Sequence, residues 1–152
     1  MYFNATFHPT AQWVIMQLRE AFKNSHSIKF MIHDRDSIFS SLVKETLKGL
    51  GIESRRTSYR SPWQNGIAER WIGSCRRELL DHVIILNKNH LHRLLEEYVD
   101  YYHQDRTHYH LDKDPPFGRP VLKKESDDDK VIALPRVGGL HRKYTWLSKK
   151  AA

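Results

Sequence analysis

Ile28-Lys29-Phe30-Met31-Ile32-His33-Asp34 is the stretch on which the fold turns. Its apolar and β-branched residues read as a short strand, with Asp34 at its C-terminal end. A lone Asp at such a place is ordinarily a turn former or a helix cap. Upstream, Thr10 is a candidate N-cap for a helix through about Phe22, with Trp13, Val14, Leu18, Ala21 and Phe22 at helical spacing. Asn24-Ser25-His26-Ser27 reads as a turn, and Tyr2 to Phe7 as a short strand or part of one. Downstream, a helix begins at Ser37 or Ser40, with Leu42, Val43, Leu47 and Leu50 as its buried stripe. Gly49 and Gly51 supply its stop, and Ile52 to Tyr59 makes the next strand. Strands alternating with helices place the chain in the α/β class.

The second informative stretch is Ser61-Pro62-Trp63-Gln64-Asn65-Gly66-Ile67-Ala68-Glu69-Arg70-Trp71. Pro62 and Asn65-Gly66 are turn signals, so a loop over Arg60 to Gly66 opens into a long helix through about Val83. Ile67, Trp71, Cys75 and Leu79 mark one face of that helix. Trp71 is expected in the core, and Trp63 is expected to pack down rather than stack on a base. A further helix spans roughly Leu91 to His103. Beyond Asp112 the pattern decays into a Pro- and Gly-rich loop, a mobile acidic segment around Asp127-Asp128-Asp129, and a strand or ordered tail over Val131 to Trp146. The expected division is residues 1–116 as one body and 117–152 as loop, acidic linker and basic tail.

At 152 residues the chain is one domain's worth. A formal charge of +7 and a pI near 9.6 point to a polyanionic partner, nucleic acid being the commonest. The charge is concentrated. From Ile52 to Arg77 there are six Arg (Arg55, Arg56, Arg60, Arg70, Arg76 and Arg77) against Glu53 and Glu69. Arg76 lies nearly two helical turns beyond Glu69, on the same face. Cys75 is the only cysteine, which leaves no intrachain disulfide and no Cys-rich zinc cluster. His90, His92, His103, His108 and His110 do not make a zinc site, because structural sites recruit several Cys. No apolar run approaches the ~18 residues that span a membrane. The start, Met1-Tyr2-Phe3-Asn4-Ala5-Thr6, lacks the pattern of a signal peptide. The expectation is a cytoplasmic protein with no membrane partner.

Asp34-Arg35-Asp36-Ser37-Ile38-Phe39, Ser61-Pro62-x-x-Asn65-Gly66-x-x-Glu69, Arg76, and Tyr102-His103-x-x-Arg106-x-His108 with Leu111 together resemble the catalytic core of retroviral-type integrases and DDE transposases. The resemblance covers most of Phe7 to Pro116. It implies an RNase H-like fold with a mixed sheet flanked by helices. It also implies a DNA partner, with self-association left open. In that family three carboxylates hold two Mg²⁺ or Mn²⁺ ions for DNA strand transfer, as in integration and transposition. Asp34 and Glu69, with 34 residues between them, match the last two carboxylates as catalytic and metal-binding residues. Arg55, Arg56, Arg60, Asn65, Arg70, Arg76 and Arg77 would face DNA. No Asp precedes Asp34, and Glu20 is the only earlier Glu. The first triad member therefore has no counterpart, and Tyr2 to Thr6 matches the family's third strand. The expectation is an N-terminally truncated core fragment lacking the first two strands. Whether it is an enzyme in its own right stays open, and little activity is expected from it alone. The alternative is a noncatalytic DNA-binding remnant of a mobile element. Arg106 and His108 are expected to tie the last helix to the body.

Overall fold

A computed structural model describes residues 1–23 and 27–147. Asn24 to His26 of the turn expected over Asn24 to Ser27, and the basic residues Lys149 and Lys150, lie outside them. The chain divides into two compact units, Met1–Gly73 and Ser74–Ala152, and each is taken by itself.

In the first unit Thr10 caps α1 (Ala11–Ala21), its hydroxyl accepting the Trp13 N–H at 3.1 Å, as its N-cap position predicts. Then come β1 (Phe30–His33), α2 (Ser41–Gly49) and β2 (Glu53–Arg56). β1 and β2 pair in parallel, Phe30 with Glu53 through His33 with Arg56. Parallel neighbours need a crossover, and α2 supplies it. Ile15, Leu18, Val43, Leu47 and Ile52 form the buried cluster, with Ile28, Met31 and Phe39 packed against it.

The end of α2 is the sharpest local device. Leu50 is the C-cap and Gly51 follows at φ +75°. The Gly51 N–H reaches Lys48 O at 3.0 Å and the Ile52 N–H reaches Leu47 O at 2.9 Å. This pair of bonds is a Schellman closure, and its usual apolar contact partners, Leu47 and Ile52, are both buried. The helix is thereby stopped and turned directly into β2.

The second unit holds the end of α3 (Gly66–Glu78), then α4 (Lys88–Gln104), β3 (Lys130–Arg136) and β4 (His141–Leu147). α4 starts earlier than its apolar pattern implied, because the Asn87 side chain caps it by accepting the His90 N–H at 2.9 Å. β3 and β4 form an antiparallel hairpin across Val137–Gly139, which settles Val131 to Trp146 as two strands. Asp129 is buried, and its Oδ2 accepts the N–H groups of Glu125 and Ser126, both at 3.0 Å. The end of the acidic segment is therefore a pinned turn.

Several expectations are corrected. Tyr2 to Phe7 forms no strand. Instead of one mixed sheet, the described residues form two separate two-stranded sheets. The second strand is shorter than Ile52 to Tyr59. In α2 the stripe narrows to Val43 and Leu47, since Leu42 is half exposed. Ile67 is 89% exposed, and burial in α3 begins only near Ser74 and Cys75. Trp63 is 73% exposed rather than packed down.

Two substitutions test the α2 hinge. No atom lies within 4 Å of a Cβ at Gly51, so Gly51→Ala costs only backbone strain. The expected loss is about 1–2 kcal/mol by urea unfolding. Leu47→Ala empties a fully buried site and is expected to cost about 2–5 kcal/mol. Equal small effects from both would contradict this account of the crossover.

Candidate carboxylate positions and basic surface

Asp34 leaves β1 with its side chain exposed. Its Oδ1 accepts the Asp36 N–H at 3.0 Å, and Asp36 Oδ1 in turn accepts the Ile38 N–H at 2.8 Å. Both carboxylates thus shape consecutive Asx turns while keeping their second oxygens free of these bonds. The peptide behind Asp34 is fixed by His33, which is buried between three partners. His33 Nδ1 lies 2.7 Å from Asp34 O, and Nε2 lies 2.8 Å from Ser54 Oγ. A carbonyl only accepts, so Nδ1 carries a proton and donates. Phe39 stacks on the imidazole at 4.4 Å between centroids. This gives a physical reason for an aromatic residue five positions after the acid.

Glu69 is exposed in the first turn of α3, where a negative side chain favours the helix dipole. The loop before it is a 3-10 turn over Pro62–Asn65. Gln64 clamps the loop, with Oε1 accepting the Ser58 N–H at 2.6 Å and Nε2 donating to Ser58 Oγ at 3.3 Å. Asn65 is half-buried in this turn.

Of the expected DNA contacts in the first unit, Arg55 pairs with Glu53 at 2.8 Å and lies over the Phe30 ring. Arg60 lies over Tyr59, and Arg56 and Arg70 are exposed. In the second unit Arg76 approaches Asp81 at 3.4 Å and Arg77 is exposed. Exposed pairs of this kind are worth ~0–1 kcal/mol, so they leave these guanidinium groups exchangeable. Asp34 and Glu69 both lie in the first unit. Among the described residues, no group of three or more His, Cys, Asp or Glu side chains is arranged to hold a metal ion. The two carboxylates offer the hard oxygens that Mg²⁺ or Mn²⁺ takes, but they are not assembled with a third ligand into a cage.

The sequence reading overlooked Glu78, the centre of the second unit. Arg106 grips it as a fork, Nη2 to Oε1 at 2.6 Å and Nε to Oε2 at 2.8 Å. The Tyr98 hydroxyl donates to Oε2 at 3.0 Å, and His141 Nε2 lies 2.9 Å from the Glu78 carbonyl. Arg106 also lies over the Tyr102 ring, against which His108 packs edge-on. The expected tie at Arg106 and His108 is present. Burial works to raise the Glu78 pKa, but the Arg106 hydrogen bonds and charge, aided by Tyr98, hold it below the ordinary carboxylate value. Burial, with the Glu78 charge second, pushes the Cys75 thiol up to about 11, so this lone cysteine stays protonated and unreactive. Asp105, its side chain 3% exposed, draws in Arg136 at 2.6 Å and Lys143 at 2.9 Å and anchors the hairpin to α4. The Arg136 Nε and Asp105 Oδ2 atoms make no aligned hydrogen bond despite that distance. Their attraction is Coulombic.

Residues 50–116 match the model of the family described as integrase core domain. This stretch belongs to the integrase core domain family. No curated protein matches the chain. The integrase core stretch contains the clamped loop, Glu69, all of α3 and α4, and the Glu78–Arg106 fork. It begins after Asp34. The description agrees with the resemblance carried by the Ser61 to Glu69 and Tyr102 to Leu111 motifs.

The fork sets the acid limit of the second unit. A carboxylate whose folded pKa is depressed stabilises above its unfolded value, about 4.3, and loses that stability as pH falls through the folded value. Glu78→Gln is expected to destabilise at pH 7 by on the order of 3 kcal/mol and to flatten the acid limb of the melting-temperature profile. An unchanged profile below pH 4.3 (about the unfolded value) would contradict the role given to this pair.

Proposed function

We propose that this chain is part of an RNase H-like catalytic core of the integrase and transposase kind, acting on DNA. In this reading residues 1–116 are the partial core, and 117–152 append the loop, acidic linker and basic tail. The integrase core match over residues 50–116 carries the reading. Asp34 lies upstream of that match. Its assignment rests on its position directly after β1 and on its spacing to Phe39.

Asp34 and Glu69 are the proposed ligands for Mg²⁺ or Mn²⁺. Such ions, when bound, activate an attacking oxygen and stabilise the leaving oxygen of a phosphodiester. Arg55, Arg56, Arg60, Arg70, Arg76 and Arg77 are the proposed phosphate contacts, with Asn65 at the loop. The exposed Trp63 ring is available to stack on a base. The chain by itself binds DNA but supports at most feeble strand transfer, because a third carboxylate has to come from elsewhere.

A nicking and strand-joining assay on duplex ends, with Mg²⁺ or Mn²⁺ added, tests this. The expected result is duplex binding that falls steeply with salt, without metal-stimulated turnover. Robust turnover abolished by Glu69→Gln would show an active site that this account treats as incomplete. No binding to any duplex at low salt would remove the DNA reading altogether.

A further inference from the structure

The C-terminal hairpin presents a surface that the carboxylate reading does not use. Alternate residues of a strand share a face, so β4 offers Arg142, Tyr144 and Trp146 together. In register across from them stand Pro135, Ala133 and Val131. The small partner Ala133 leaves Tyr144 66% exposed. The other face of the hairpin is occupied. Its Arg136 and Lys143 reach Asp105, and its His141 ring stacks on Tyr101 at 4.3 Å. The hairpin is therefore anchored through one face and open on the other.

Residues 119–122 run alongside it, tied by the Trp146 indole N–H donating to Leu122 O at 3.0 Å. Two adjoining recesses result, of about 380 Å³ and 390 Å³, and both are lined by Arg119, Pro120, Leu122 and Tyr144. Three cations, Arg119, Arg142 and Lys143, line these recesses with the carboxylates Asp105 and Asp114. Asp105 is taken by Arg136 and Lys143, and Asp114 approaches Arg119 only at 3.5 Å. Arg142 is exposed next to Tyr144. The charge calls for an anion, and the ring and apolar wall call for a flat apolar group. A free phosphate would leave Tyr144 and Leu122 unused. An apolar ligand would waste the cations. A paired duplex keeps its bases stacked inside, out of reach of the Tyr144 ring.

We infer that this cleft binds single-stranded nucleic acid, with a base against Tyr144 and neighbouring phosphates at Arg142 and Arg119. Aromatic rings interleaved with cations along a groove are how unpaired strands are held without sequence preference. The site lies wholly within the second unit and does not depend on the roles proposed for Asp34 and Glu69.

Fluorescence anisotropy of the full chain with a short labelled oligothymidine tests it. Tyr144→Ala is expected to weaken binding about tenfold, and Tyr144→Phe, which keeps the ring, to leave it nearly unchanged. Arg142→Gln is expected to weaken binding and to reduce the slope of log affinity against log salt by roughly 0.7. Tyr109→Ala, at a still more exposed tyrosine on the same unit, serves as the control and should have no effect. Photocrosslinking of the bound strand should label the peptide containing Tyr144, which guards against loss of binding through misfolding. Wild-type affinity in Tyr144→Ala would overturn the inference. So would an equal loss of duplex binding in Tyr144→Ala, or oligothymidine binding lost only on substitution of Arg55 and Arg56.

Discussion

A parallel pair of strands cannot be joined by a tight turn, and the architecture of the first unit follows from that constraint. α2 must leave the end of β1, cross and return beside it, and it must stop at a defined residue to set the register with β2. Gly51 and the two bonds around it enforce the stop, and the buried Leu47 and Ile52 hold it. Asp34 consequently emerges at the carboxyl end of a strand, where α/β folds place their binding groups. The His33 ring then fixes the Asp34 peptide through a bond that reaches across to Ser54 on the neighbouring strand.

The second unit is organised around charge. Glu78 and Arg106 are both mostly withdrawn from water, which is expensive unless every donor and acceptor is used. The fork geometry, the Tyr98 hydroxyl and the Tyr102 face provide those partners. Asp105 plays the same part for the hairpin. The integrase core match embraces both halves of the Glu78–Arg106 pair. The family pattern around Arg106 therefore has a structural cause in this chain.

Local signals in the sequence were read well where their chemistry is local. Thr10 and Gly51 mark boundaries because capping and positive φ involve only neighbouring residues. The α/β class and the strand before Asp34 followed from the apolar pattern alone. Periodicity failed where burial depends on what a helix meets. Leu42 and Ile67 fit their stripes yet stand exposed, and nothing nearby in sequence distinguishes them from Val43 or Cys75. Glu78 was overlooked because its partners lie 20 and 28 residues away. Val131 to Trp146 was expected as one strand or an ordered tail, and Gly138-Gly139 proved to be the turn that divides it into a hairpin.

The central claim is that Asp34 and Glu69 serve one cation together. Paramagnetic broadening of backbone amide signals by added Mn²⁺ measures it most directly, since the ion affects only nuclei close to where it rests. The account predicts that the amides around Asp34 and around Glu69 broaden at the same Mn²⁺ concentration, and that Glu69→Gln weakens the effect at both. Broadening at one site without the other, or at neither, would contradict it.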